Sequence, residues 1–160
     1  MSSILRTVEF LCLSLWLGSD VFLSFVVAPG AFGVLASRDQ AGAMVGYALT
    51  RMHLGGIVLG VLLLLVRLAR TQSFASLARP AAICVAFMIV LTAISQFTVS
   101  AKMATLQVEM GSIQATAAGN PLLEEFGKLH RISVSLESGV LLAGFAGLYL
   151  MVRELVVAGR

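Results

Sequence analysis

Polar side chains at helical spacing interrupt an apolar stretch near the C-terminal end of this sequence. His130, Ser133 and Glu137 stand at i, i+3 and i+7, so they share one face of a helix whose predicted N-cap is Asn120. No charged residue occurs from 138 to 152, which is typical of a membrane span. A carboxylate inside a span is costly and by default faces protein, water or a bound partner. We therefore expect this face to take part in function.

The composition predicts the fold class. A chain of 160 residues that is 59% hydrophobic and only 12% charged cannot bury its apolar sequence in a soluble core. We predict an all-α integral membrane protein, a bundle of four transmembrane helices in a single domain. The spans are expected near 4–27, 53–67, 81–101 and 131–152, and the helices of the last three should extend beyond the membrane. The dispersed basic residues and a net charge of +3 argue against a nucleic-acid partner.

Local signals predict several helix ends. The segment 28–30, Ala-Pro-Gly, is expected to end the first helix, because proline cannot continue the hydrogen-bond ladder. Ser37 followed by Gln40 is typical of a capping box at the start of the second helix. Apolar residues at helical spacing predict that the third helix continues to about Gln114.

Small residues at four-residue spacing predict where helices pack, because they let backbones approach closely in lipid. These residues are Gly56 and Gly60 in the second span, Gly139, Ala143 and Gly147 in the fourth, and Ser14 and Gly18 in the first. Leu63 and Leu64 are expected to face lipid. Cys12 and Cys84 fall in predicted spans without a metal-binding spacing, so we interpret both as small buried hydrophobes.

The distribution of basic residues predicts the orientation. Four spans put both termini on one side, together with the short connection that carries Arg67, Arg70 and Arg79. The positive-inside rule then predicts cytoplasmic termini, in a bacterial inner membrane. The segments 51–53 and 128–130 both read basic–apolar–His, which indicates two helical hairpins related by a pseudo-two-fold axis.

On this topology, polar residues of four helices form a belt in the outer third of the membrane. Its predicted members are Asp20, His53, Gln96, His130 and Glu137, with Ser133 beside them and Arg51, Lys102, Lys128 and Arg131 flanking it. Helix anchoring and simple ion pairing could explain some of these residues. The two carboxylates are the strongest functional signal, since each is costly in lipid.

The sequence resembles the family that contains transmembrane protein 205 of animals and many bacterial proteins of unknown function. The residues that carry this likeness are the stretch 16–38 with Ser-Phe-Val-Val-Ala-Pro at 24–29, Phe32, Leu35, His53, Phe126, His130, Ser133 and the polar position 137. The resemblance implies a four-helix membrane protein, linked in animals to platinum-drug resistance, with no established biochemical activity. That family usually has an amide where this chain has Glu137.

Three functional hypotheses stay open at this point. The polar belt could form a cation, metal or small-solute site for transport or sensing, and the same groups could relay protons. Alternatively, His53 and His130 could be axial ligands of a b-type haem, with Arg51, Lys128 and Arg131 near its propionates. Otherwise the protein is a structural or accessory subunit, either a homo-oligomer or part of a larger membrane complex. The sequence lacks a nucleophile–base pair or phosphate loop, which argues against an ordinary enzyme.

Overall fold

The chain folds into four long helices, α1 to α4, in a computed structural model that describes residues 2–158. Helix α1 is α-helical over Ser2–Phe22, π-helical over Leu23–Val27 and α-helical again over Ala28–Val34. Helix α2 spans Arg38–Thr71, and a short 3₁₀ helix, Phe74–Ala78, follows it. Helix α3 is α-helical over Pro80–Ile94, π-helical over Ser95–Ser100 and α-helical over Ala101–Met110. Helix α4 spans Pro121–Ala158, and the described range holds no strand.

All four helices are long and apolar enough to cross a membrane. They contain segments of 31 to 37 residues whose most apolar windows have mean hydropathies of 1.9 to 2.2, whereas a span needs about 20 residues. Large apolar side chains cover their outer faces, among them Phe25, Val58 and Leu65, which fits a lipid environment. The predicted class, an all-α multi-pass membrane protein built as a four-helix bundle, is confirmed.

Two predicted N-caps are confirmed. The Ser37 hydroxyl accepts a hydrogen bond from the Gln40 backbone N–H at 3.1 Å, which satisfies one of the unpaired donors in the first turn of α2. The Asn120 Oδ1 accepts from the Leu122 N–H at 2.9 Å at the start of α4. Short polar side chains therefore mark the starts of both α2 and α4.

The predicted end of α1 at 28–30 is wrong. The helix continues to Val34, and the π-helical segment Leu23–Val27 lies directly before Pro29. Proline lacks an N–H and its ring would clash with the carbonyl of Phe25, four residues earlier, in a regular α-helix. A wider turn at this point accommodates the ring, so the proline distorts the helix without ending it.

The predicted continuation of α3 to Gln114 is also wrong. The helix ends at Met110 because Gly111 has a φ of 70°, a conformation that glycine adopts readily. Asp39 at the start of α2 then secures the following turn: its Oδ1 accepts from the Ile113 N–H at 2.8 Å, and its Oδ2 from the Ser112 hydroxyl at 2.6 Å. This contact joins the outer ends of the two hairpins.

The packing role of Gly56 and Gly60 is confirmed. The indole of Trp16 lies so close that a Cβ on Gly56 would come within 2.2 Å of its Nε1, and a Cβ on Gly60 within 2.6 Å of its Cζ3. Gly139 is likewise confirmed, since a Cβ there would lie 2.9 Å from the Leu91 Cδ1. The two glycines on α2 thus receive the largest side chain of α1.

Two other packing predictions are wrong. Ser14 and Gly18 are exposed, and nothing lies within 4 Å of a Cβ on Gly18, because α1 turns Leu13 and Trp16 inward instead. Leu63, expected to face lipid, is 1% exposed and belongs to the core. It lies three residues after Gly60 and therefore shares the buried face. The apolar part of the core between the helices is centred on Leu13, Trp16, Leu63, Val85, Met88 and Val140.

A matched pair of substitutions tests the glycine contact. Gly60→Leu should lower the free energy of unfolding by about 1–3 kcal/mol or more, because the added side chain must displace Trp16. Gly55→Leu is the control, since Gly55 is exposed on the same helix and has open space around it. Unfolding in detergent micelles measures both. If both variants lost the same free energy of unfolding, the close contact with Trp16 would not be the cause of the destabilisation.

Candidate functional site

Each of the four helices contributes one polar side chain to a common level of the bundle. These are Asp20 of α1, His53 of α2, Gln96 of α3 and Glu137 of α4. Each lies about 15 residues, or about 22 Å, from the end of its helix at which α1 connects to α2 and α3 connects to α4. We call this end of the bundle the outer end. Together with Ser95 we call these four residues the polar cluster.

His53 is the centre of the polar cluster. It is fully buried, with its Nδ1 2.9 Å from the Gln96 Oε1 and its Nε2 2.5 Å from the Glu137 Oε1. Each of the two ring nitrogens thus faces an oxygen that can accept a hydrogen bond. This is the arrangement expected for a doubly protonated, positively charged imidazole. The Gln96 amide also has an NH₂ group, which can donate to Nδ1 when the ring is neutral. The site can therefore hold His53 in either protonation state.

The two carboxylates of the polar cluster are incompletely satisfied. The Ser95 hydroxyl donates to the Glu137 Oε1 at 3.3 Å, and the Ser24 hydroxyl donates to the Asp20 Oδ1 at 3.4 Å. The other oxygens, Glu137 Oε2 and Asp20 Oδ2, are buried without a hydrogen-bond partner among the described residues. Asp20 is close enough to His53 and Glu137 for their charges to interact. Two bare carboxylate oxygens beside one imidazole call for a further positive group.

Two more polar atoms lie one turn deeper. The Trp16 Nε1 and the Thr92 Oγ1 are buried and have no partner within the described range. Trp16 precedes Asp20 by four residues and Thr92 precedes Gln96 by four, so each lies on the inner side of the polar cluster. Neither side chain was predicted from the sequence to belong to the site. Their polar atoms become notable only once the structure shows them buried.

The π-helical segments help to build this site. In α3 the segment Ser95–Ser100 begins at the polar cluster, and the adjacent residues Ser95 and Gln96 both point their polar groups into it. In α1 the segment Leu23–Val27 begins three residues after Asp20. The Thr98 hydroxyl donates to the Ile94 carbonyl at 2.6 Å, and such side-chain competition for backbone acceptors favours a locally altered helix. π-helical turns are frequent at functional sites.

The polar cluster carries an unbalanced charge. With both carboxylates ionised and His53 protonated, one negative charge remains uncompensated in a buried position. The four basic residues predicted to flank the belt do not offset it, because Arg51, Lys102, Lys128 and Arg131 are all exposed. Arg51 lies over the Tyr47 ring at 5.1 Å, and Lys102 pairs with Glu125 at 2.5 Å. Neutrality therefore requires one more proton or a bound cation.

The structure does not bring His130 into the polar cluster. This residue lies on α4 seven residues, or about 10 Å, closer to the outer end than Glu137 and is exposed. Ser133 between them is buried. Because His130 is remote and both nitrogens of His53 already face oxygens, the geometry does not form a pair of axial haem ligands.

Within residues 2–158, no three His, Cys, Asp or Glu side chains come together as a ligand set. Cys12 is buried, Cys84 is half-buried, and both are unpaired thiols among the described residues.

A second charged cluster, which was not predicted from the sequence, lies at the end of the bundle where α1 begins and α4 ends. Arg67, only 1% exposed, donates from its Nη2 to both Glu154 oxygens at 2.7 Å and from its Nε to the Ser76 carbonyl at 3.2 Å. Its Nη1 is 3.7 Å from the Glu9 Oε2, and Arg70 donates to the Glu9 Oε1 at 2.5 Å. We call Glu9, Arg67, Arg70 and Glu154 the ion-pair network.

One signal in the sequence could have revealed this network. Glu9 interrupts the apolar run of the first span, and a carboxylate there requires a counter-charge from another helix. From the sequence, Arg67 and Arg70 were interpreted only as basic residues that set the orientation. The structure instead places both on the last turns of α2, where they join α1, α2 and α4.

Fold and site together define a multi-pass helical membrane protein with a buried, ionisable cluster at the centre of a four-helix bundle. Comparison with protein-family models matches residues 11–112 to a domain of unknown function, DUF4149, and the chain belongs to that family. The matched range contains Asp20, His53 and Gln96 but ends before Glu137. Searches of curated proteins and of solved structures gave no significant match.

Proposed function

We propose that this membrane protein binds and releases a proton at the polar cluster and uses that step in small-solute transport or in sensing. One observation carries the proposal: buried Asp20 and half-buried Glu137 each keep one buried carboxylate oxygen without a hydrogen-bond partner among the described residues, beside buried His53. A single added proton neutralises the excess charge of these groups.

A proton explains the geometry better than a metal ion does. The described residues offer no three-ligand metal set, whereas a proton needs only the two carboxylates and the imidazole. Histidine changes charge near neutrality, and the Gln96 amide can hydrogen-bond to either form of the ring. A proton-binding group inside a helical bundle is typical of proton relays and proton-coupled transport.

Infrared difference spectroscopy of the purified protein over a range of pH tests this proposal. We expect the C=O band of a protonated carboxyl group to appear and disappear with pH, since Asp20 and Glu137 share one excess negative charge. Asp20→Asn should abolish that band, while Asp39→Asn should leave it intact because Asp39 lies in the outer turn. A wild-type spectrum without a titrating buried carboxyl would favour the structural-subunit alternative.

The membrane orientation belongs to the same proposal. We place both termini in the cytoplasm of a bacterial cell, with the spans near 4–27, 53–67, 81–101 and 131–152 as one domain, because Arg67 and Arg70 at the end of α2 and Arg79 in the connection that follows make this side basic. Reporter fusions at Ser73 and at Ala117 should then report opposite sides of the membrane, with Ser73 cytoplasmic. A report of the same side for both would contradict the four-span arrangement.

We also propose that the chain is related to the transmembrane protein 205-like family that its sequence resembles. The motif at 24–29 supports this, since its proline follows the π-helical turn that borders the polar cluster. The acid at position 137, where that family usually has an amide, gives this chain a second carboxylate for proton binding.

A further inference from the structure

A groove on the outer surface of the bundle, between α3 and α4, combines apolar walls with a basic mouth. It measures about 680 Å³, and its walls include Phe87, Leu91, Ile132 and Leu136. Lys128 and Arg131 lie at one end. The polar cluster does not line this groove, so a ligand bound here would be independent of the proposed proton site.

The two basic residues are available to a ligand. Lys128 and Arg131 are one turn apart on one face of α4, both are exposed, and neither forms an ion pair with any side chain in residues 2–158. Two other basic residues at this end differ: Lys102 pairs with Glu125, and Arg51 lies over the Tyr47 ring. Lys128 and Arg131 therefore give the mouth of the groove two positive charges without an ion-pair partner in the described range.

The apolar part of the groove lies deeper in the membrane than its charges. Ile132 and Leu136 follow Lys128 at intervals of four residues down α4, so they form a stripe below it. Gly139 closes the floor, because its missing side chain lets Leu91 of α3 approach closely. Phe87 continues the wall one turn beyond Leu91. Positive charge at the membrane interface suits a lipid headgroup, and the apolar channel beneath it suits an acyl chain.

We propose that this groove binds one anionic phospholipid. Its phosphate sits between Lys128 and Arg131, and one acyl chain lies against Leu91, Ile132 and Leu136. Basic pockets between transmembrane helices are typical sites for anionic headgroups, whereas helix anchoring alone requires no groove beneath the charges.

Native mass spectrometry of the detergent-purified protein, with phosphatidylglycerol and phosphatidylcholine added in equal amounts, tests this proposal. We expect the wild type to retain one phosphatidylglycerol in preference to phosphatidylcholine. Lys128→Gln combined with Arg131→Gln should reduce that retention by about tenfold. Arg51→Gln combined with Lys102→Gln removes the same charge at the same end and should have little effect.

A second variant keeps the charges and blocks the groove. Ser135 is exposed and lies in the groove between the basic mouth and Gly139, so Ser135→Phe should fill the path of the acyl chain. We expect the same loss of phosphatidylglycerol at an unchanged melting temperature. If the two double variants lost phosphatidylglycerol equally, the binding would depend on general surface charge and not on this groove. Undiminished retention in Ser135→Phe would show that no acyl chain occupies the groove, and either result overturns the proposal.

Discussion

Replacement of Arg67 by alanine is expected to destabilise the bundle by about 3–5 kcal/mol, the usual cost of removing one partner from a buried ion pair. Arg67 and Glu9 are each 1% exposed, and Arg67 also holds Glu154 and the Ser76 carbonyl. Its loss leaves Glu9 paired with Arg70 alone among the described residues, and takes away the ion-pair partner of Glu154. Denaturant or thermal unfolding in micelles measures the change in free energy.

Two further variants make this test specific to the ion-pair network. Arg79→Ala removes an arginine from the exposed connection before α3 and should be nearly silent. Adding Glu9→Gln to Arg67→Ala should recover part of the loss, because it removes a buried charge that has lost a partner. If Arg79→Ala costs as much as Arg67→Ala, the network contributes no particular stability. In that case the arginines serve only to set the orientation of the protein in the membrane.

The sequence predicted the architecture well because its main signals are local. Apolar length determined the number of helices, and a serine and an asparagine marked two of the helix starts correctly. The π-helical segments escaped prediction, since they depend on how Pro29 and the hydroxyls of α3 compete with the backbone ladder. The end of α3 was misjudged because apolar spacing continues past Gly111, although the backbone does not.

The candidate site was predicted in part, and the two histidines explain why. Helical periodicity correctly places His130 and Glu137 on related faces of α4. Whether such a face is covered depends on the neighbouring helices at that level, which periodicity does not reveal. The structure covers Glu137 and His53 and leaves His130 exposed. Glu9 was missed for a similar reason, since its partners lie on helices distant in sequence.

The exposed and buried histidines provide the sharpest test of the polar cluster. His53→Ala should abolish the pH-dependent proton uptake, because it removes the imidazole that bonds to Gln96 and Glu137. His130→Ala should leave the uptake and the melting temperature unchanged. A pH indicator in weakly buffered micelles measures the protons bound per molecule. If His130→Ala also lost proton uptake, both histidines would belong to one site, as the sequence predicted.

Glu137→Gln completes this test through a double-mutant cycle with His53→Ala. The amide can still hydrogen-bond to His53, but it removes one negative charge, so Asp20 and a protonated His53 then balance each other. We expect the variant to fold and to lose proton uptake.

Because His53 and Glu137 are in contact, the effect of the double variant on the free energy of unfolding should differ from the sum of the two single effects by about 0.5–3 kcal/mol. His130→Ala paired with Glu137→Gln should be additive, since the exposed ring lies about two turns away. Additive losses in both pairs, with proton uptake unchanged, would reduce the polar cluster to a set of separate helix contacts.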